Sequence, residues 1–104
     1  MTPEAAVKRR TKEAFDAADA WSYAPVQNGM GVVGIPDRLG CVPYVIRPED
    51  VGRRVGLFVA VECKAPGKRN QTTANQDRQL AGIRAAGGIA AVVDGADQLN
   101  EVFP

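Results

Sequence analysis

Histidine is absent from all 104 residues. That removes the commonest general base, the commonest zinc ligand and any Ser-His or Cys-His nucleophile system. Cysteine is scarce: Cys41 and Cys63 lie in apolar, strand-like surroundings without a CxxC spacing, so reduced, buried thiols are expected rather than a zinc site or a redox pair. No apolar run approaches the roughly 20 residues a bilayer span requires. The opening residues, MTPEAAVKRRTKEAF, lack the apolar middle of a secretory signal. A soluble, intracellular protein of the cytoplasm is the expectation. An enzyme of this composition has to work with carboxylates, lysines and a hard metal ion.

Net charge is also small, +1 from 13 Lys and Arg against 12 Asp and Glu. Placement is more telling than the total. Residues 1 to 76 hold 11 of the basic and 8 of the acidic residues, with basic clusters at KRRTK (8–12), Arg53-Arg54 and Lys68-Arg69. Once some carboxylates are neutralised by a metal, such a surface suits a polyanion. Charge alone equally describes solvated helix and loop faces. The length predicts one domain, residues 1–104, enclosing a single modest core. A wide binding surface on so small a chain favours self-association.

What is present begins with a helix over residues 2–19. Thr2 is placed to cap it, Pro3 suits its first position, and Val7, Thr11, Ala14, Phe15 and Ala18 recur at helical spacing. Glu4 falls on that stripe, where a first-turn acid also suits the helix dipole. Arg9, Arg10, Lys12, Glu13 and Asp16 fall on the opposite face. Glycines 29, 31 and 34 and prolines 25 and 36 mark a loop from Tyr23 to Pro36, after which Asp37 opens a strand, RLGCVPYVI; Pro43 within it implies an edge or a bulge. RPEDVGRR (47–54) is turn chemistry and predicts a hairpin return to the next strand, GLFVAVECK.

In that strand, alternation places Leu57, Val59, Val61 and Cys63 on one face and Phe58, Ala60, Glu62 and Lys64 on the other. The second face turns charged only at the carboxyl end, as in a central strand whose last residues open into a cleft, or simply in a strand leaving the core for solvent. Thr73-Ala74-Asn75-Gln76 reads as a capping box opening a second helix, with Leu80, Ile83 and Ala86 inward and Gln76 on the same stripe. Gly87-Gly88 ends that helix, IAAVVD forms a short strand, and DGADQLNEVF a final short helix with Leu99, Val102 and Phe103 packing down. The order is a helix, a run of strands, a helix, a strand and a helix. It predicts an α/β fold with a mixed β-sheet flanked by helices on both faces.

Glu4, Asp37, Glu62, Lys64 and Gln76 can converge on one cleft in such a fold. Three carboxylates without histidine or thiolate form a hard oxygen site that suits magnesium or manganese. A metal there polarises a phosphoryl oxygen and acidifies water, while a lysine two residues from a ligating acid orients that water or stabilises charge developing on phosphorus. Lys68, Arg69, Arg9, Arg10 and Lys12 are the candidate phosphate contacts, Lys68 and Arg69 first because they follow the charged strand end. Trp21, Tyr23 and Tyr44 are aromatic enough to stack on bases, though core or interface packing explains them as well.

GIPD, then VECKAPGKR, then a glutamine opening the next helix and AGGIAAVV beyond it resemble the PD-(D/E)xK nuclease superfamily. Within it the chain is similar to the VRR-NUC (virus-type replication and repair nuclease) group, in its stand-alone, single-domain form. The likeness runs from Glu4 to about Asp97, and ExKxPGxR with the downstream glutamine is its most specific part. It implies a restriction-endonuclease-like core and magnesium-dependent hydrolysis of DNA phosphodiesters, manganese substituting. Asp37, Glu62 and the main-chain carbonyl of Cys63 would be metal ligands, with Glu4 a further one, directly or through a water. Lys64 would position water and stabilise the transition state, and Gln76 would support it. It further implies a homodimer acting on branched DNA such as four-way (Holliday) junctions, and a phage or mobile-element origin. The 25-residue interval from Asp37 to Glu62 is longer than a minimal hairpin needs. The alternatives are a non-catalytic nucleic-acid-binding or assembly subunit on the same scaffold, a flap- or duplex-directed endonuclease, and a structural α/β domain with a charged rim.

Overall fold

The computed structural model describes residues 1–26 and 31–104, so Gly29 of the predicted loop lies outside the described residues. The fold is mixed α/β, with small sheets and three helices, in the order α1 (Pro3–Ala17), β1 (Trp21–Tyr23), β2 (Leu39–Cys41), β3 (Val59–Cys63), α2 (Ala74–Ala85), β4 (Ile89–Val93) and α3 (Leu99–Val102). Two compact units divide the chain, Met1–Pro43 and Tyr44–Pro104.

In the first unit Thr2 Oγ1 accepts the Ala5 N–H at 3.1 Å and Pro3 stands at the start of α1, as the sequence predicts. Ion pairs run along the solvated side, Arg9 to Glu13 and Lys12 to Asp16. β1 and β2 pair antiparallel with Trp21 opposite Cys41, Ser22 opposite Gly40 and Tyr23 opposite Leu39. Phe15 of α1 lies on this ribbon at Gly40, where an added Cβ would stand 2.7 Å from Phe15 Cε1 and 2.8 Å from the Trp21 carbonyl oxygen. Only glycine lets helix and ribbon approach this closely. Cys41 is buried, as expected.

The expected single mixed sheet with a 38–46 strand paired to the VAVEC strand is corrected by this pairing. β2 stops at Cys41 and pairs with β1, and the described residues form two two-stranded sheets. Pro43 explains the early end, since it has no N–H to continue a ladder. Residues 42–47 carry no regular structure, leaving Val42, Val45 and Ile46 exposed. The predicted turn at 47–54 is present, organised by Asp50, whose Oδ2 accepts from the Tyr44 hydroxyl at 2.8 Å and the Arg47 N–H at 3.0 Å. The Arg47 guanidinium stands 5.7 Å from the centre of the Tyr44 ring, so that ring is part of the turn. Trp21 and Tyr23 pair with each other, ring centres 5.4 Å apart.

The second unit is a parallel β–α–β arrangement. β3 and β4 pair in register from Val59 opposite Ile89 to Cys63 opposite Val93, and α2 makes the crossover that a parallel pair requires. Leu80, Ile83 and Ala86, three residues apart along α2, are buried with Ala90 and Val93 of β4. Arg84, in the last turn of α2, donates through Nε and Nη2 to the Ala90 carbonyl at 3.0 and 2.8 Å, tying helix to strand. Gly87, at φ +94°, provides the left-handed residue that ends α2. α3 packs on β4 with Leu99 and Val102 partly covered. Phe103 stays 54% exposed, against the expectation that it packs down, because α3 ends one residue before it and the chain turns extended.

Gly40→Ala is expected to destabilise the first unit by about 1–3 kcal/mol through overpacking against Phe15 and a backbone oxygen. Gly56→Ala, where nothing lies within 4 Å of the new Cβ, serves as control. Equal denaturation midpoints for the two variants would contradict this packing.

Candidate functional site

The parallel ladder fixes where the charged end of VAVECK goes. β3 and β4 leave the sheet at the same edge, the ladder continuing by one bond from the Lys64 N–H to the Val93 carbonyl at 2.8 Å. The capping box of α2 arrives at that edge too. Thr73 Oγ1 accepts the Gln76 N–H at 3.1 Å and Gln76 Oε1 accepts the Thr73 N–H at 3.0 Å. The capping glutamine is therefore fixed against the last residues of β3.

Glu62, Gln76 and Lys64 form one network. Gln76 Nε2 donates to Glu62 Oε1 at 2.8 Å, Lys64 Nζ donates to Gln76 Oε1 at 3.0 Å, and Lys64 Nζ lies 3.6 Å from Glu62 Oε1. The chemistry of the three groups permits one orientation only. A carboxylate accepts and an ammonium donates, so the amide must turn its NH2 to Glu62 and its oxygen to Lys64. Both charged side chains are mostly covered, 31% exposed for Glu62 and 18% for Lys64. At this depth a charge-assisted hydrogen bond is worth more than at the surface. One oxygen of Gln76, Oε1, serves both the helix cap and the bond to Lys64.

Beside the triad runs the basic loop. Gly67, at φ +81°, makes its turn. Asp94, directly after β4, accepts through Oδ2 from the backbone N–H groups of Gly67 at 3.2 Å and Arg69 at 3.3 Å, and through Oδ1 from Gln98 Nε2 at 2.7 Å. Gln98 Oε1 in turn accepts the Asp94 N–H at 3.0 Å. Arg69 donates through Nε to the Val92 carbonyl at 3.0 Å. The Asp94 carboxyl is held below the usual carboxylate range, chiefly by the Gln98 hydrogen bond and, against some desolvation, by the two loop amides and the Arg69 charge. Lys68 is exposed at the tip of this turn.

Asp94 and Gln98 were not expected from sequence. The available signal was an acid directly after AAVV: a parallel partner strand ends where β3 ends, so its first polar residue reaches the same rim.

The other candidates fall elsewhere in the chain. Asp37, exposed and just before β2, and Glu4 belong to the first unit. Glu4 sits in the first turn of α1, 3.6 Å from Lys8. Arg9, Arg10 and Lys12 lie exposed along α1, Arg9 and Lys12 in surface ion pairs that are weak enough for a phosphate to displace. Cys63 is exposed, against the expectation of a buried thiol, because it is the last residue of β3. Among the described residues no group of three or more His, Cys, Asp and Glu forms a set able to hold a metal ion. The triad alone, one carboxylate beside an ammonium, is not a ligand set for magnesium. Among the described residues no helix is long and apolar enough to cross a membrane.

Comparison with known proteins finds no matching family model, no matching curated sequence and no matching solved structure.

Two outcomes are expected from this geometry. Gln76→Ala removes the reciprocal cap and leaves Glu62 and Lys64 short of a partner, and should lower the stability of the second unit by about 1–2 kcal/mol. A denaturation midpoint within error of wild type would show that the network is not formed. Because the folded Asp94 carboxyl titrates below its unfolded value, the stability it contributes is present above the unfolded range and lost as pH falls through the folded one. The amide NMR signals of Gly67 and Arg69 should therefore shift together in acid, and signals unmoved through the carboxylate range would contradict the contact.

Proposed function

We propose that the chain is a magnesium-dependent endonuclease of PD-(D/E)xK type that acts, as a homodimer, on branched DNA, four-way junctions foremost. The observation that carries this reading is the Glu62–Gln76–Lys64 network at the carboxyl end of β3, beside a basic loop. Lys64 would stabilise charge developing on phosphorus or orient the attacking water, its ammonium aimed by Gln76. Glu62, with its carboxylate held by the same amide, would be a metal ligand. Asp37, Glu4 and the Cys63 carbonyl complete the proposed set, and their joining Glu62 is part of the proposal. A divalent cation bound by them would polarise the phosphoryl group and supply hydroxide near neutral pH. Lys68, Arg69, Arg9, Arg10 and Lys12 would meet the DNA backbone. A two-fold dimer would match the approximate two-fold symmetry of a four-way junction.

A second reading has its own observation. The basic turn is tied down by Asp94 and the Val92 carbonyl, separately from the Glu62–Gln76–Lys64 network, as a non-catalytic nucleic-acid-binding or assembly subunit on the same scaffold would have it. In that case the basic loop binds and nothing is cut.

The two separate in one experiment. Labelled duplex, flap, splayed-arm and four-way junction DNA are incubated with magnesium and wild type, Lys64→Ala, Glu62→Gln or Asp37→Asn, with the mass in solution measured alongside. The nuclease reading expects junction cleavage by a dimer, reduced about 100-fold or more in each variant, the scale of losing one transition-state charge partner. Binding without cleavage in all four proteins supports the subunit reading. Preferred cutting of flap or duplex keeps the nuclease and discards the junction. Neither binding nor cleavage by wild type removes both readings.

A further inference from the structure

We propose that Asp94 is a positioning residue for phosphate binding: its carboxylate folds the Gly67-Lys68-Arg69 turn at the rim so that Lys68 is presented to a backbone phosphate of a polynucleotide. This rests on the nucleic-acid reading above and adds to it a residue outside the proposed cutting set.

The turn follows Pro66 and contains a left-handed glycine, a composition that samples many conformations when untied. Four bonds tie it. The Gly67 and Arg69 amides converge on one oxygen of Asp94, Arg69 Nε reaches the Val92 carbonyl, and the Lys68 N–H closes on the Ala65 carbonyl at 2.9 Å. Gln98 fixes the carboxylate from the other side. Two amides two residues apart that face one oxygen make an anion-binding concavity, and here the protein's own carboxylate fills it. A phosphate can therefore not take those amides and must be met by side chains. Lys68 is the residue between the two anchored amides. A carboxylate beside a phosphate site weakens attraction unless donors absorb its charge, and three N–H groups face this one. Fixing the turn in advance spares the ordering cost at binding, so Asp94 should act on affinity and leave the bond-breaking step alone.

The test measures binding of fluorescent four-way junction across a salt series, with steady-state cleavage, for wild type, Asp94→Ala, Asp94→Asn, Lys68→Ala and the Asp94→Ala/Lys68→Ala double variant. Lys68→Ala should weaken binding about three- to tenfold and lower the salt slope by about one. Asp94→Ala should do nearly the same, raising KM with kcat within about twofold, and the double variant should be little worse than either single one. Asp94→Asn, which keeps an acceptor oxygen but not the charge, should fall between wild type and Asp94→Ala, and it carries the comparison if Asp94→Ala does not fold. Additive losses, or wild-type affinity in Asp94→Asn and Asp94→Ala, would overturn the inference while leaving the nuclease reading intact. A wild-type protein that binds no DNA overturns both.

Discussion

The parallel pairing of β3 with β4 is the constraint on which the rest of the second unit depends. An antiparallel partner would have sent the two strand ends to opposite edges. The parallel register, Cys63 opposite Val93, brings Glu62, Lys64 and Asp94 to one edge. The crossover helix that parallel pairing demands starts at the same edge, so its first turn, with Gln76, is delivered there by topology. Burial of Leu80, Ile83 and Ala86 with Ala90 and Val93 holds the helix in place, and the Arg84 bonds to Ala90 lock its far end. The rim chemistry is thus a consequence of a small apolar interface some distance from it.

Partial burial of a charged pair ordinarily costs more than it returns unless other donors and acceptors complete it. Gln76 completes the Lys64–Glu62 pair by acting as acceptor to one and donor to the other, and the Thr73 N–H, donating to Gln76 Oε1, fixes the side-chain amide in turn. Asp94 repeats the device a few residues away, with Gln98 as the amide and two backbone N–H groups as the other donors. In both places a glutamine side chain holds a carboxylate whose position matters to its neighbours. Such doubly committed amides restrict rotamers and leave the charged groups preorganised.

Much of this was legible in the sequence. The Thr2 cap, the Thr73–Gln76 capping box, the Gly87 stop and the inward Leu80, Ile83 and Ala86 all follow from local rules that act over a few residues. The meeting of Glu62, Lys64 and Gln76 followed from combining strand alternation with helix phase. Strand partnership did not follow. A three-residue strand such as Trp21–Tyr23 gives almost no periodic signal, and its partner Leu39–Cys41 was hidden in a longer apolar run that Pro43 cuts short. The role of Asp94 was invisible because it depends on which strand pairs with β3 and in which direction.

Charge at the rim bears on the choice between cutting and binding. A phosphodiester approaching Glu62 meets a carboxylate, and the nearest ammonium, Lys64, is already bonded to Gln76 and drawn to Glu62. Loop cations such as Lys68 attract the polyanion, but exposed to water they act as screened charges, adequate for affinity and weak at a reacting phosphorus. Cleavage would need a further concentrated positive charge against Glu62, and a hard divalent cation is the kind a carboxylate suits. One carboxylate is too few to bind it, which makes a second acid the deciding element. Within the β–α–β frame Glu62 is the one carboxylate of the network with Lys64 and Gln76, so the acid that joins it belongs to the proposed function and not to this frame.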